Sequence, residues 1–169
     1  MKNTMKYLVL AALFNVALPA QAAIQSYSFN GVMDSGFYNG QAYTGSFSFD
    51  DATVDNTGLD IASLISLNMG FLNSNFNLAS SVGIPDVSFQ DGSFLGLSWN
   101  VESSIPDVAL TFVAGSNDTS DAFVAYDTAL GFSGAGNIIY APVPEADTYA
   151  MFLAGLGLLG FVARRRKTA

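Results

Sequence analysis

Asp86 to Val101 reads DVSFQDGSFLGLSWNV, and the alternation in this stretch decides the fold class. Val87-Phe89 and Phe94-Leu97 flank Asp91-Gly92, a pair that favours the left-handed backbone of a tight hairpin turn. Past the turn, Leu95, Leu97, Trp99 and Val101 alternate with Gly96, Ser98 and Asn100. A period of two places apolar residues on one face of a sheet and polar residues on the other. The same texture extends outward in both directions. Tyr27 and Phe29 alternate with Ser26, Ser28 and Asn30, and Tyr43, Gly45, Phe47 and Phe49 with Thr44, Ser46 and Ser48. Val108, Leu110 and Phe112 alternate with Ala109 and Thr111. Asn30-Gly31, Asn39-Gly40 and Gly115-Ser116-Asn117-Asp118 supply further chain-reversal chemistry. The pattern predicts an all-β domain, an antiparallel β-sandwich of jelly-roll type. About eight strands are expected, near 24–32, 42–50, 61–71, 75–79, 86–91, 93–101, 107–113 and 121–126, with a ninth over 130–140. Trp99 alternates correctly for a core anchor; stacking on a ligand is its other reading.

The charges are partitioned. All six basic residues lie outside 23–143: Lys2 and Lys6 before it, and Arg164, Arg165, Arg166 and Lys167 after it. The stretch between holds twelve acids, so the net charge of −8 understates its acidity. Such a surface repels nucleic acid and keeps an apolar, β-rich chain from aggregating. The chain has no Cys and no His. Disulfides, thiolate metal sites and His-dependent general-base catalysis are therefore excluded.

Met1 to Ala22 reads MKNTMKYLVLAALFNVALPAQA. A positive start, an apolar run from Tyr7 to Leu18 interrupted only by Asn15, a breaker at Pro19, and small residues at Ala20 and Ala22 make a signal peptide. Cleavage is expected between Ala22 and Ala23, by signal peptidase. The expected organisation is a signal helix over 1–22, an acidic outer domain over 23–141, and a C-terminal segment over 142–169. In that last segment Val143-Pro144-Glu145-Ala146 precedes an expected transmembrane helix over 148–163 and a basic stop-transfer end, Arg164, Arg165, Arg166 and Lys167. The apolar run from Tyr149 to Ala163 spans roughly 23 Å as a helix, against a bilayer core of about 30 Å. Crossing would require thinning of the bilayer or snorkelling by the arginines.

Val143-Pro144-Glu145, one apolar helix rich in Leu and Gly, and an arginine cluster together resemble the PEP-CTERM sorting domain. The resemblance covers 142–167, and the order of its three parts is its specific feature. It implies recognition and processing by a membrane-embedded exosortase, with Pro144 and Glu145 as recognition residues. It also implies transient anchoring in the membrane and delivery to the cell surface or the medium, in bacteria that build exopolysaccharide and biofilm matrix. The family usually has Pro-Glu-Pro; here Ala146 stands at the second proline. Tyr43 to Asp50, YTGSFSFD, resembles an early strand in the outer domains of such proteins.

A catalytic constellation does not emerge from the residue inventory. Phosphate loops and arginine clamps need the Lys and Arg that the middle of the chain lacks. Paired carboxylates remain formally available, with no spacing that selects a pair. The expectation is a protein that is not an enzyme. Asp50, Asp51, Asp55 and Asp60 crowd one turn-rich loop and suggest calcium, which takes oxygen ligands. Asn117 to Asp121 is a second, poorer candidate. The competing reading is a solvated acidic loop of Asx-turns. Two roles follow: an exported matrix or surface protein with exopolysaccharide as a possible partner, or a calcium-dependent, lectin-like carbohydrate binder.

Overall fold

Among the described residues the alternating segments become ten antiparallel strands, followed by one helix. The computed structural model describes residues 23–144 and 146–167. The strands are β1 (Ile24–Val32), β2 (Ala42–Asp50), β3 (Leu59–Phe71), β4 (Ser74–Asn77), β5 (Asp86–Gln90), β6 (Ser93–Ser104), β7 (Asp107–Val113), β8 (Phe123–Asp127), β9 (Ser133–Asn137) and β10 (Ile139–Pro142). Helix α1 covers Ala146–Lys167. Short 3-10 turns lie at Asp51–Thr53, Leu78–Ser80 and Thr119–Asp121. The signal peptide expected over 1–22 lies outside the described residues.

The strands follow one another as a meander, in the order β10-β1-β2-β3-β5-β6-β7-β8-β9, with β4 folded back onto β3. A jelly roll needs crossed connections between two sheets, so that part of the expectation is corrected. The sheet instead curls into a near-closed, barrel- or sandwich-like body. Long-range pairing produces the curl. β10 pairs with β1 through Tyr27–Pro142, Ser28–Ala141, Phe29–Tyr140 and Asn30–Ile139. Just beyond β1, Met33 bridges Gly136, and the N–H of Asp34 donates to the carbonyl of Ala135 at 2.9 Å. The ribbon expected as one strand over 130–140 is thus two, broken at buried Ile138. It joins β8 on one side and the β1 segment on the other, leaving little open edge for another chain to pair with.

The hairpin at Asp91-Gly92 forms as expected. Both residues have positive φ, 49° and 78°, and Gln90 faces Ser93 across the turn. That is the type I′ geometry whose twist matches the flanking strands. The register then shifts: Ser88 faces Gly96 while Phe89 faces Phe94, leaving Leu95 as the extra residue of a bulge. Phe94 consequently turns to the core, stacking on Tyr27 at 4.7 Å, and Leu95 is buried outside the main cluster. Gly96, at φ 136°, supplies the backbone the bulge requires.

Asn30-Gly31, expected as a reversal, lies inside β1. Its glycine serves a close approach instead. A Cβ at Gly31 would sit 2.0 Å from the Asn137 carbonyl oxygen and 2.5 Å from the Tyr43 hydroxyl. The chain reverses at Asn39-Gly40, where Gly40 has φ 85°. A second type I′ turn occurs at Leu72-Asn73, joining β3 to β4.

The core is built on aromatic rings. Phe29, Tyr43, Phe47, Phe49, Phe71, Phe112, Trp99 and Tyr126 are all at most 2% exposed. Trp99 stacks on Phe112 at 5.3 Å and donates its indole N–H to the Ser81 hydroxyl at 2.8 Å. It is therefore a core anchor. The buried phenols close the barrel. The Tyr43 hydroxyl donates to the carbonyl of Asn137, and the Tyr126 hydroxyl donates to the carbonyl of Ser35 at 3.2 Å. The Tyr140 hydroxyl accepts from the N–H of Leu97 at 3.0 Å. Burial, with smaller contributions from Tyr140 and Asp34, raises the Tyr43 pKa far above that of a free phenol. Burial also raises that of Tyr140, opposed by the Leu97 N–H. Both phenols therefore stay protonated and can act as donors at any physiological pH. Among the described residues, every buried side-chain polar atom has a partner.

Candidate functional site

The sorting segment begins where the sheet ends. β10 carries its ladder to Pro142, and the N–H of Val143 still donates to the carbonyl of Ser26 at 2.8 Å. Pro144 has no N–H to give, so the ladder stops there. Glu145 lies outside the described residues, and α1 starts at Ala146. Val143 is half-exposed, so the first motif residue is both clipped to the barrel by its backbone and open by its side chain.

Helix α1 carries Tyr149, Met151, Phe152, Leu153, Leu156, Leu158 and Leu159 with 50–71% of their surface exposed. Arg164 is also exposed. The helix backbone runs through Arg164, Arg165, Arg166 and Lys167, so the basic cluster is the last turn, where cations complement the carbonyl end of the helix dipole. The membrane crossing expected over 148–163 is corrected. A helix forms there, but among the described residues none is long and apolar enough to cross a membrane. Its apolar run is hemmed between Asp147 and Arg164.

The acidic loop does not gather its carboxylates. Asp50 accepts from the N–H of Ala52 at 2.9 Å and caps a 3-10 turn. Asp51 accepts from the N–H of Ala23 at 2.8 Å and from the Gln25 amide at 3.0 Å. Asp55 closes an Asx-turn on Thr57, accepting from its N–H at 2.9 Å and its hydroxyl at 2.7 Å. These bonds, the hydroxyl first, hold the Asp55 carboxyl below the usual range. Asp60 accepts from the N–H of Asn56 at 3.2 Å. Asp50, Asp55 and Asp60 accept from donors within their own loop, Asp55 also meeting the Asp60 side chain, whereas Asp51 reaches back to Ala23 and Gln25. In the second loop Asp118 likewise turns back on Ser120, which lowers its pKa. Among the described residues no group of three or more acids is placed to hold a metal ion.

Two features escaped the sequence reading. A cleft of about 500 Å³ opens beside Glu102, Asp107, Val108, Ala109, Asp127 and Thr128. Strand register could have located it, because Glu102 pairs with Ala109 and Ala109 with Asp127. Phe37 and Phe132 form an exposed stacked pair, 4.9 Å between rings, at the loops joining β1 to β2 and β8 to β9. They are 95 residues apart in sequence (132 minus 37), and no local pattern links them.

The chain is thus a β-body with a short apolar helix and a basic terminal turn joined directly to its last strand. Residues 142–167 match the PEP-CTERM protein-sorting motif. The chain carries that motif, which marks an exported protein sorted to the cell surface with exosortase as its processing partner. No curated protein and no solved structure matches the chain.

Proposed function

We propose that this is a non-catalytic surface or extracellular matrix protein, delivered by exosortase and associated with exopolysaccharide. The observation that carries the reading is the motif match over 142–167, which begins at the last residue of β10 in an acidic, aromatic-filled barrel. Asp50, Asp55 and Asp118 are engaged in caps and turns, and residues 23–143 hold no Lys, Arg, His or Cys. Export through signal peptidase, with cleavage between Ala22 and Ala23, is part of the same reading.

The test is mass spectrometry of the chain from a producing strain with and without its exosortase. The expected result is a processed C-terminus and surface or medium location only when exosortase is present. Replacing Arg164, Arg165 and Arg166 together by Gln is expected to abolish that processing while leaving the barrel folded. A chain ending at Ala169 in both strains overturns the reading.

A second reading, a carbohydrate-binding module, is favoured by the stacked Phe37–Phe132 pair, since sugar rings dock on exposed aromatic faces. Glycan-array binding lost in Phe37→Ala, measured with and without calcium, would establish it. No binding to any arrayed glycan would remove it.

A further inference from the structure

Ala23, just ahead of β1, is held by Asp51 on the turn after β2. Asp51 takes the N–H of Ala23 on Oδ1 at 2.8 Å and the Gln25 side-chain amide on Oδ2 at 3.0 Å. Its own N–H donates to the carbonyl of Ala23 at 3.2 Å. Ala23 is therefore gripped from both ends by one residue 28 positions away. The nitrogen so held is the one that hydrolysis after Ala22 would release. In that reaction the Ala22–Ala23 amide bond breaks, the oxygen of water goes to the Ala22 carbonyl carbon, and the nitrogen leaves as an amine. At neutral pH the amine takes up a proton. The body from 23 to 143 contains no Lys, Arg or His, so this ammonium becomes its only positive charge.

We propose that Asp51 is the built-in counter-ion of the α-ammonium group created by cleavage between Ala22 and Ala23. Processing of the leader thereby converts an amide-to-carboxylate hydrogen bond into an ion pair that clamps the chain just ahead of β1. The inference rests on the export reading above and adds the residue that receives the new terminus. Among the described residues the acids beside Ala23 are Asp51, on the 3-10 turn, and Asp50, which faces Ile24 across β1 and β2. On the other flank, Val143 and Pro144 bring no charged side chain. Asp50 is engaged with the N–H of Ala52, which leaves Asp51 as the direct partner. The ammonium adds a full positive charge on the donor to the charge already on the carboxylate, and N⁺–H···O⁻ bonds of this kind are short and strong.

The experiment uses the exported protein purified from a producing strain. Its first residue is read by mass spectrometry. The rate of acylation of the α-amine is then followed against pH, with Trp99 fluorescence as the readout of folding. The expected first residue is Ala23, with an amine titrating above the ordinary range of about 7.7–8.0. At pH 7 it should label about two- to fivefold more slowly than in Asp51→Asn, and Asp51→Glu should restore the slow rate. An Ala23 amine titrating in the ordinary range in the folded wild-type protein overturns the inference, whatever the variants do, and leaves the export reading standing. A chain that still begins at Met1 overturns both.

Discussion

The barrel and the helix use the same residue types in opposite ways. In the barrel, Val87, Leu97 and Trp99 are at most 1% exposed, within one core cluster rich in aromatic rings. In α1, Met151, Leu158 and Leu159 are 67–71% exposed. Apolar surface drives folding only where the chain itself covers it. The barrel's hydrophobicity is spent internally on stability, whereas the helix, which lies within the sorting motif, leaves its apolar surface uncovered by the rest of the described residues. The two also differ at their boundary. The barrel stops at a hydrogen bond, from Val143 to Ser26, and the helix begins three residues later.

The contrast can be broken most forcefully at Trp99. Trp99→Ala removes a filled, stacked, hydrogen-bonded core position and should cost about 3–5 kcal/mol, read as a loss of denaturant midpoint. Leu158→Ala in α1 should leave that midpoint within about 0.5 kcal/mol of wild type. A smaller effect is expected at the seam. Gly31→Ala drives a Cβ into the Asn137 carbonyl and the Tyr43 ring, and about 1–3 kcal/mol of overpacking should follow. Hydrogen exchange should then rise first at Tyr27 to Asn30, the residues paired to β10.

The smallest effects are electrostatic and opposite in sign. The Gly58 N–H, and then the Gln90 amide, hold the Asp91 pKa below its ordinary value. That stability is present above the unfolded pKa and is lost as pH falls through the depressed folded value, so its window lies below about pH 4. Asp91→Asn should flatten the acid limb of a Tm-against-pH curve. Burial raises the Asp86 pKa, partly offset by Ser98. Its contribution is present below the unfolded value and is lost as pH rises through the raised one. Asp86→Asn should therefore raise Tm at pH 7 by about 1–2 °C, a size limited by solvent screening, and leave it unchanged at pH 3.

Much of the barrel was legible because its strands alternate cleanly and Asp91-Gly92 and Asn39-Gly40 carry turn chemistry. β1, β2 and β7 begin and end where the alternation places them. What stayed hidden depends on contacts between distant segments. Leu72 adopts φ 50° against its own preference because its side chain packs on the core, and no turn residue announces it. The bulge at Leu95 moves Phe94 inward, which strict alternation cannot foresee. Asn30-Gly31 looks like a turn until Asn137 is seen to need the space. Strand order is the same kind of problem: a meander that closes on itself and a jelly roll share local patterns and differ only in which edges meet. The sorting segment was legible as a whole, over 142–167, since that signal is linear. The arrangement of Asp50, Asp51, Asp55 and Asp60 was not, because only Asp55 and Asp60 meet while Asp50 and Asp51 turn to other donors.

The pairing of β1 with β10 also acts as a clock. Ser28 and Ala141 are 113 residues apart, so the first strand cannot find its last neighbour until nearly the whole body has emerged. Contacts of such long range form late. A chain threaded across a barrier from its N-terminus therefore remains open, and able to move, until the sorting segment itself is about to follow. A chain stopped at Ile138 is expected to stay protease-sensitive where the full chain is not. In this protein the strand that completes the pairing of β1 is the one that leads into the sorting segment.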